Sequence, residues 1–416
     1  PMYAFEASAG GIATAADLVE FAAAVNAGES IVKWMNSEGK VVLKNDIDMS
    51  SVTSWTPIGV GVFTWSSNKL TCTSGNPFTG YFDGKGYSIK NFNVVCTNST
   101  KGSTYGFFGS LGAGAVVENL VFDSTCSMEL KSTAATDCGM LAGLAWDATI
   151  KNITNKGVMK YTGTSDNVKT TLAVVGMAFA ETQDVLIENV VNEGNITAVS
   201  GGSNQNGGNA VQVAGILAFG TNHASVSKVA HVKDCTNKGN IESATARASG
   251  IVAACNRYTV IRGCANYGHN LNTFNVKTET DGSAARIGNI TCITGAGSAI
   301  YDTVNYGDAI STTKGAIAGI LCLVNGDDNV LENVANYGRI ITDRTIKKYC
   351  GVFFGQCNKK ATITNCIAGG AFGTYNNGDY QITELTAENY WDYVGAVGSS
   401  GVNATKENIK FGTRPN

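Results

Sequence analysis

Proline is almost missing from this chain, with 4 in 416 residues. Charge is also sparse: charged residues make up 15% of the sequence, against a usual ~25%. The shortage of proline argues against stiff, proline-rich linkers between separate domains. With a net charge of −3, there is no basic surplus to attract nucleic acid or an anionic membrane surface. No apolar run approaches the ~18 residues of a membrane-spanning helix. Three histidines and no Cys-x-x-Cys pair make a zinc site, or any other metal site, an unattractive reading. The chain opens Pro1-Met2-Tyr3 without a basic-then-apolar leader, as a mature or trimmed segment would.

Glycine is abundant: 50 of 416 residues, about 12%, against ~7% in an average protein. Asparagine numbers about 40. With 44% hydrophobic residues the chain has too much apolar side chain to be disordered. This mixture fits many short strands joined by tight turns. The 12 cysteines often sit in apolar runs, as Cys255 and Cys322 do. They read as buried free thiols serving as small core residues.

Internal repetition is the strongest signal. A glycine followed by a short apolar run recurs at Gly106, Gly139, Gly176, Gly215, Gly250, Gly288, Gly319 and Gly351, at intervals of 31 to 39 residues. After most of these comes a second block, roughly Asn/Asp, apolar, any, Asn, any, Gly. It runs Asn152 to Gly157, Asn189 to Gly194, Asp234 to Gly239, Asp302 to Gly307 and Asn333 to Gly338, with Gly263 opening the copy that ends at Gly268. Asn365 to Gly369 is a decayed copy, and a third short alternating run such as Asn195 to Ala198 usually follows.

Each repeat thus holds about three strand-like segments, too short and too rich in β-branched residues for helices. The expected fold is all-β: a right-handed parallel β-helix solenoid with about three short strands per coil. The repeated asparagine fits a turn position that tolerates left-handed backbone. Stacked asparagine amides can also bond one another up the solenoid. Such a solenoid must cover its open ends. Thr14 and Asp17 resemble a capping box, and Leu18, Phe21, Ala22 and Val25 share a face before Gly28, so residues 14–27 read as an amphipathic helix lid. One continuous domain is expected, with an N-terminal cap over 1–39, coils over 40–372 and an irregular C-terminal cap over 373–416.

Glycine-apolar-x-Ala followed by Asn-x-Gly-x-Ile resembles the GLUG-type repeats of bacterial cell-surface proteins. The segments from Thr14 to Phe21, Val42 to Met49, Trp55 to Gly59 and Phe78 to Gly86 resemble surface β-helix proteins of gut anaerobes. The resemblance implies an extracellular module displayed on the bacterial surface. An outer-membrane anchor would come from a segment outside this chain. It also implies a glycan or surface-protein partner, a docking place beside an outer-membrane importer, or an adhesin role. The same fold hosts pectate-lyase-like lyases and glycosidases, so fold alone does not choose between binder and enzyme.

A glycosidase needs two carboxylates flanking the scissile bond. The adjacent pairs Asp46/Asp48 and Asp327/Asp328 read more simply as turns, and no acidic trio falls at one repeat position. His223, His231 and His269 sit at different repeat phases, so they share no metal site. A lyase needs a neutralising cation and a base. Arg247, Arg286 and Lys348 each lie two or three residues before a repeat glycine and form a possible basic strip across coils. The middle residue of Asn-x-Gly is tyrosine in three consecutive repeats, at Tyr267, Tyr306 and Tyr337. Strand spacing would set these rings ~4.8 Å apart as an exposed aromatic ladder, suited to a sugar ring or a partner protein. Nearby Asn270, Asn272 and Tyr301 are candidates for added polar contacts. The sequence therefore favours a non-catalytic glycan- or protein-binding surface module with no cofactor and no catalytic residues. A polysaccharide lyase or glycosidase is the alternative.

Overall fold

The computed structural model describes residues 10–67, 69–163, 169–199, 211–276, 285–344, 349–395 and 404–416. Short strands wind through three mainly parallel sheets, which hold 17, 10 and 15 strands among the described residues, antiparallel hairpin strands included. We call these sheets 1, 2 and 3. One coil shows the path: Thr171–Ala180 runs in sheet 3, Val185–Asn192 in sheet 1 and Ile196–Ala198 in sheet 2, before Gln212–Ala214 returns to sheet 3. The architecture is a parallel β-helix with three strands per coil.

Stacking places like on like. In sheet 1, Ile150, Ile187, Val232, Ile261, Ile300, Leu331 and Ile363 are successive register partners, and all are at most 1% exposed. Alternation along each strand turns them inward. Burying each such side chain contributes ~1.5–3 kcal/mol. The aliphatic column therefore fixes register, because a one-residue slip would turn it to solvent.

The two proposed uses of asparagine fall on two different positions. The first residue of the block adopts left-handed backbone: φ is 54° at Asn152, 52° at Asn189, 53° at Asp234, 50° at Asp302 and 55° at Asn333. Asn and Asp tolerate that region better than other non-glycine residues, and Gly263 takes it with φ 68°. The second asparagine builds an interior ladder. Asn155, Asn192, Asn237, Asn266, Asn305 and Asn336 are fully buried. Each Nδ2 of the first five donates to the next Oδ1 at 2.8–2.9 Å. Each of the six also donates to the glycine carbonyl two residues on, at 2.9–3.0 Å. The glycine is required because a methyl at Gly268 would run into the Gly239 carbonyl oxygen and Asn237 Nδ2.

The N-terminal lid is helix α1, Ala15–Ala27. Its capping box closes with Asp17 N donating to Thr14 Oγ1 and Thr14 N donating to Asp17 Oδ2, both at 3.1 Å. Gly28 ends it in left-handed conformation with φ 69°. Leu18 and Phe21 are fully buried, and Phe21 meets Trp34 edge-on at 5.5 Å.

The C-terminal segment is more regular than an irregular cap over 373–416. A hairpin, Ala371–Asn376 with Asp379–Glu384, closes sheet 2, while Ala404–Glu407 and Lys410–Phe411 add parallel strands to sheet 1. The last turn keeps the left-handed asparagine, Asn408 at φ 50°, bonded to Asn365 Oδ1 at 2.6 Å. It lacks the Asn-x-Gly block, which hid it in the sequence. All 12 cysteines are free, and only Cys72 is not buried.

Candidate ligand groove on sheet 3

The outer face of sheet 3 differs from the other two. Its outward residues form rows with one side chain per coil. Leu144, Met177, Phe219, Ala254, Ile293 and Leu323 are successive register partners and make an apolar row that ends at Gln356. Asp137, Thr171, Gln212, Arg247 and Arg286 make a polar row beside it.

A hairpin covers the N-terminal part of the apolar row. Gly61–Ser66 pairs antiparallel with Lys69–Gly75. Phe63 and Leu70 pack on Leu144, Met177 and Phe179 in a second apolar cluster outside the solenoid. Trp65 meets Phe179 edge-on at 5.6 Å and Phe219 at 6.4 Å. Lys169 Nζ lies 3.5 Å from the centre of the Phe219 ring and 5.0 Å from that of Trp65, a cation held on aromatic faces. The alternation of Phe63 and Trp65 with Thr64 and Ser66, then Leu70 and Cys72 with Thr71 and Thr73, was the available sequence signal for this hairpin. The repeats begin after it, so they do not point to it.

Two cavities share Trp65 and Lys169. One, of about 820 Å³, lies under the hairpin and includes Asp137. The other, of about 360 Å³, continues along the sheet and includes Phe219, Arg247 and Arg286, with Asn256, Asn325 and Asn358 on its amide side. Asn256 Nδ2 donates to Thr221 Oγ1 at 3.0 Å, and Gln356 Nε2 donates to Asn358 Oδ1 at 2.9 Å. The result is a groove with an apolar floor, cations along one side and carboxamides along the other.

Burial dominates its electrostatics. It pushes the Asp137 carboxyl up to about 6, against the pull of Lys169 and a 2.9 Å hydrogen bond from Thr171 Oγ1. Burial likewise pushes Lys169 down to about 8; Asp137 opposes that shift and Arg247 adds to it. Arg247 is pushed down to about 10, by burial first and by neighbouring Arg286 second.

Arg247 and Arg286 are direct register partners on adjacent coils. Arg247 is 6% exposed, so it is not an ordinary solvent-facing charge. Lys348 lies outside the described residues. Lys169, Asp137 and Gln212 carry no repeat signature, and sequence reading did not single them out.

The tyrosine ladder lies elsewhere, where sheet 1 turns towards sheet 2. Tyr267 and Tyr306 stack with ring centres 4.8 Å apart and planes 19° from parallel; Tyr306 and Tyr337 stack at 5.6 Å and 18°. The rings therefore cover one another's faces, and the Arg414 guanidinium lies 4.6 Å from the Tyr306 ring centre. Tyr267 is 44% exposed, while Tyr306 and Tyr337 are half-buried. Stacked on both sides, Tyr306 presents its edge and hydroxyl, while Tyr267 keeps one face without a stacked tyrosine. Asn270 and Asn272 turn into the coil, where they donate to the Ala248 and Thr245 carbonyls at 2.9 and 2.8 Å. Tyr301 is covered by Arg262, whose guanidinium lies 4.1 Å from its ring centre.

The other candidates are local fittings. Asp46 accepts from Ser88 N at 2.9 Å and pairs with Lys90 at 3.0 Å, while Asp48 accepts from Ser50 N and Asn91 Nδ2, both at 2.9 Å. Asp327 and Asp328 are exposed in a turn. His231 pairs with Asp184 at 3.0 Å, and His269 Nδ1 accepts from Asp308 N at 3.0 Å. His223 Nδ1 accepts from Ser225 N at 3.1 Å. No three His, Cys, Asp or Glu side chains converge as metal ligands among the described residues.

No protein-family model matches the chain, and no curated protein matches it. A solved structure from Bacteroides ovatus, described as that of a candidate immunoglobulin A1 protease, is similar over 97% of this chain and 84% of its own, at 16% identity and a TM-score of 0.37. So weak a likeness carries neither fold nor activity across. The β-helix stands on the strand pairing itself.

Proposed function

We propose that this chain is a non-catalytic capture module that holds a glycan along the outer groove of sheet 3. The observation carrying the reading is the groove's composition. An apolar and aromatic floor meets the carbon face of a sugar ring, while carboxamides and guanidiniums at its sides match ring hydroxyls. Display outside a bacterial cell, with an anchor beyond this chain and an importer or adhesin partner alongside, is supported by the resemblance of the repeats alone. A glycan-array screen tests the reading, with reducing ends and absorbance at 235 nm followed on every hit. Binding without product supports capture, and absence of any hit refutes it.

One observation favours the enzyme alternative. Asp137 and Lys169, shifted towards neutrality from opposite sides, share a cavity beside two arginines. Such pairs mark acid–base sites. In β-elimination the neutral Lys169 amine would take the proton at C5 of a uronate, the C4–O bond would break, a C4=C5 double bond would form, and the protonated Asp137 carboxyl would give its proton to the departing oxygen. New absorbance at 235 nm, lost in Lys169→Met, would establish that reading over capture.

A further inference from the structure

We infer that the ligand of this groove carries an anionic substituent, a carboxylate or a sulfate ester, seated between Arg247 and Arg286. The inference rests on the capture reading for the glycan part of the ligand and on the arginine pair for its charge.

Several other cations on the coils have a carboxylate partner. Along sheet 1 and its turns, Arg262 pairs with Asp302 at 3.3 Å, Arg339 with Asp308 at 2.6 Å and Lys90 with Asp46 at 3.0 Å. Arg247 and Arg286 have no such partner: among the described residues, no carboxylate lies within ion-pair distance of either. Arg247 is nonetheless 94% buried by its 6% exposure. Arg286 Nε is buried without a hydrogen-bond partner, as are both amide atoms of Gln212, the next residue along the row. Holding a buried charge beside a half-buried like charge is costly unless an opposite charge joins them. Neighbouring strands lie ~4.8 Å apart, so one anion can reach both planar forks, the geometry in which arginine binds carboxylate and sulfate best.

The surroundings orient the rest of the ligand. Gln212 lies fully buried next to Arg247 in the row and lines neither cavity, so it adds no counter-charge to the pair. Phe219 and Ile293 provide the floor, and the Asn256 and Asn325 carboxamides face the opposite edge. Asp137 lies three strands from Arg247 in the same row, beyond Thr171 and Gln212. That distance keeps the site's one nearby carboxylate away from the anion seat. A ligand bound in this way runs along the solenoid axis with its acid group towards the C-terminal coils.

The test is calorimetric titration of the whole chain with four probes: an oligogalacturonide, its methyl ester, a sulfated chondroitin oligosaccharide and its desulfated form. Wild type is compared with Arg286→Gln and with Arg286→Lys, which keeps the charge but loses the fork. Circular dichroism checks that each variant folds. One acidic probe is expected to bind at least about tenfold more tightly than its neutral counterpart, the scale of a charge-assisted pair. Arg286→Gln should remove that preference, and Arg286→Lys should restore part of it. Whichever acidic probe wins identifies carboxylate or sulfate as the group recognised. Equal binding of acidic and neutral probes, or an unchanged preference in Arg286→Gln, overturns the inference and leaves glycan capture standing. If no glycan binds, capture fails, and inorganic sulfate decides the anion seat by itself. A sulfate-specific rise in melting temperature over chloride at equal ionic strength, lost in Arg286→Gln, sustains the seat; the same rise in both proteins overturns it.

Discussion

The buried asparagine ladder allows a sharp stability prediction at Asn266. Its Nδ2 donates to Gly268 O at 2.9 Å and Asn305 Oδ1 at 2.8 Å, and its Oδ1 accepts from Asn237 Nδ2 at 2.8 Å. In Asn266→Ala, Asn305 Oδ1 keeps a donor, Gly307 N at 3.2 Å. Asn237 Nδ2 keeps only its bond to Gly239 O at 2.9 Å, and the Gly268 carbonyl loses its side-chain donor. Two buried polar groups left short at about 1–3 kcal/mol each give a loss of about 2–6 kcal/mol. Asn195→Ala is the control: its exposed Oδ1 accepts one bond, from Asn240 N at 2.9 Å, worth at most about 1 kcal/mol. Solenoids can unfold coil by coil. The assay is therefore the urea midpoint together with hydrogen exchange at the coils on either side. Asn266→Asp adds a sign. Its carboxylate would receive one donor and face two oxygens, so burial would raise its pKa above the unfolded ~3.9. The deficit should then grow as pH rises from the unfolded pKa through the raised folded one, and shrink again towards acid. Should Asn266→Ala cost no more than Asn195→Ala, the ladder is not a stabilising network and the reasoning fails.

Two further predictions concern the binding surfaces. Tyr306→Ala should lose about 1–3 kcal/mol of stability through its two ring stacks and leave glycan affinity unchanged; a fall in affinity on calorimetry would bring the ladder into the ligand site. Affinity for an acidic glycan should weaken as pH rises through about 8, where Lys169 loses its proton, and strengthen as pH falls through about 6, where Asp137 gains one. Lys101, Arg247 and Arg286 are the other charged groups lining the two cavities; a flat profile from about pH 5 to 9 would remove Lys169 and Asp137 from the site.

What the sequence shows and what it hides divide along a physical line. The repeat is legible because stacking forces the same solution on every coil. A left-handed turn selects Asn or Asp at 152, 189, 234, 302 and 333, an interior amide selects Asn three residues on, and a close backbone approach selects Gly after that. These constraints come from the fold, so they mark the fold. The groove carries no such mark. Arg247 and Arg286 were visible as a basic strip, but the burial of Arg247 was not, because it depends on how neighbouring segments lie against sheet 3. Asp137 and Gln212 occupy the same row without any shared residue type. Lys169 reaches the groove through the aromatic faces of Phe219 and of Trp65, the latter from a hairpin more than a hundred residues earlier in the chain. The tyrosines are legible for the same reason as the asparagines: their regular spacing reflects the stacking of coils, which sets Tyr306 between two rings.

A buried guanidinium beside a half-buried one, with no carboxylate partner for either among the described residues, should weaken the fold that holds them. A solenoid can carry that cost locally, because each coil depends mainly on its neighbours. This separates a binding role from a structural one at Arg247. Replacing a buried, imperfectly paired charge by an apolar side chain of similar length is often stabilising by about 1–4 kcal/mol. Arg247→Met should therefore raise the denaturation midpoint of the central coils while removing the preference for acidic glycans. The expected trade is that of a functional site strained for its ligand. Sulfate should narrow the stability gap, because an anion seated on the wild-type pair relieves the repulsion that methionine removes. If Arg247→Met instead lowers stability by more than about 1 kcal/mol, the arginine is part of the scaffold, and the anion seat would have to rest on Arg286 alone.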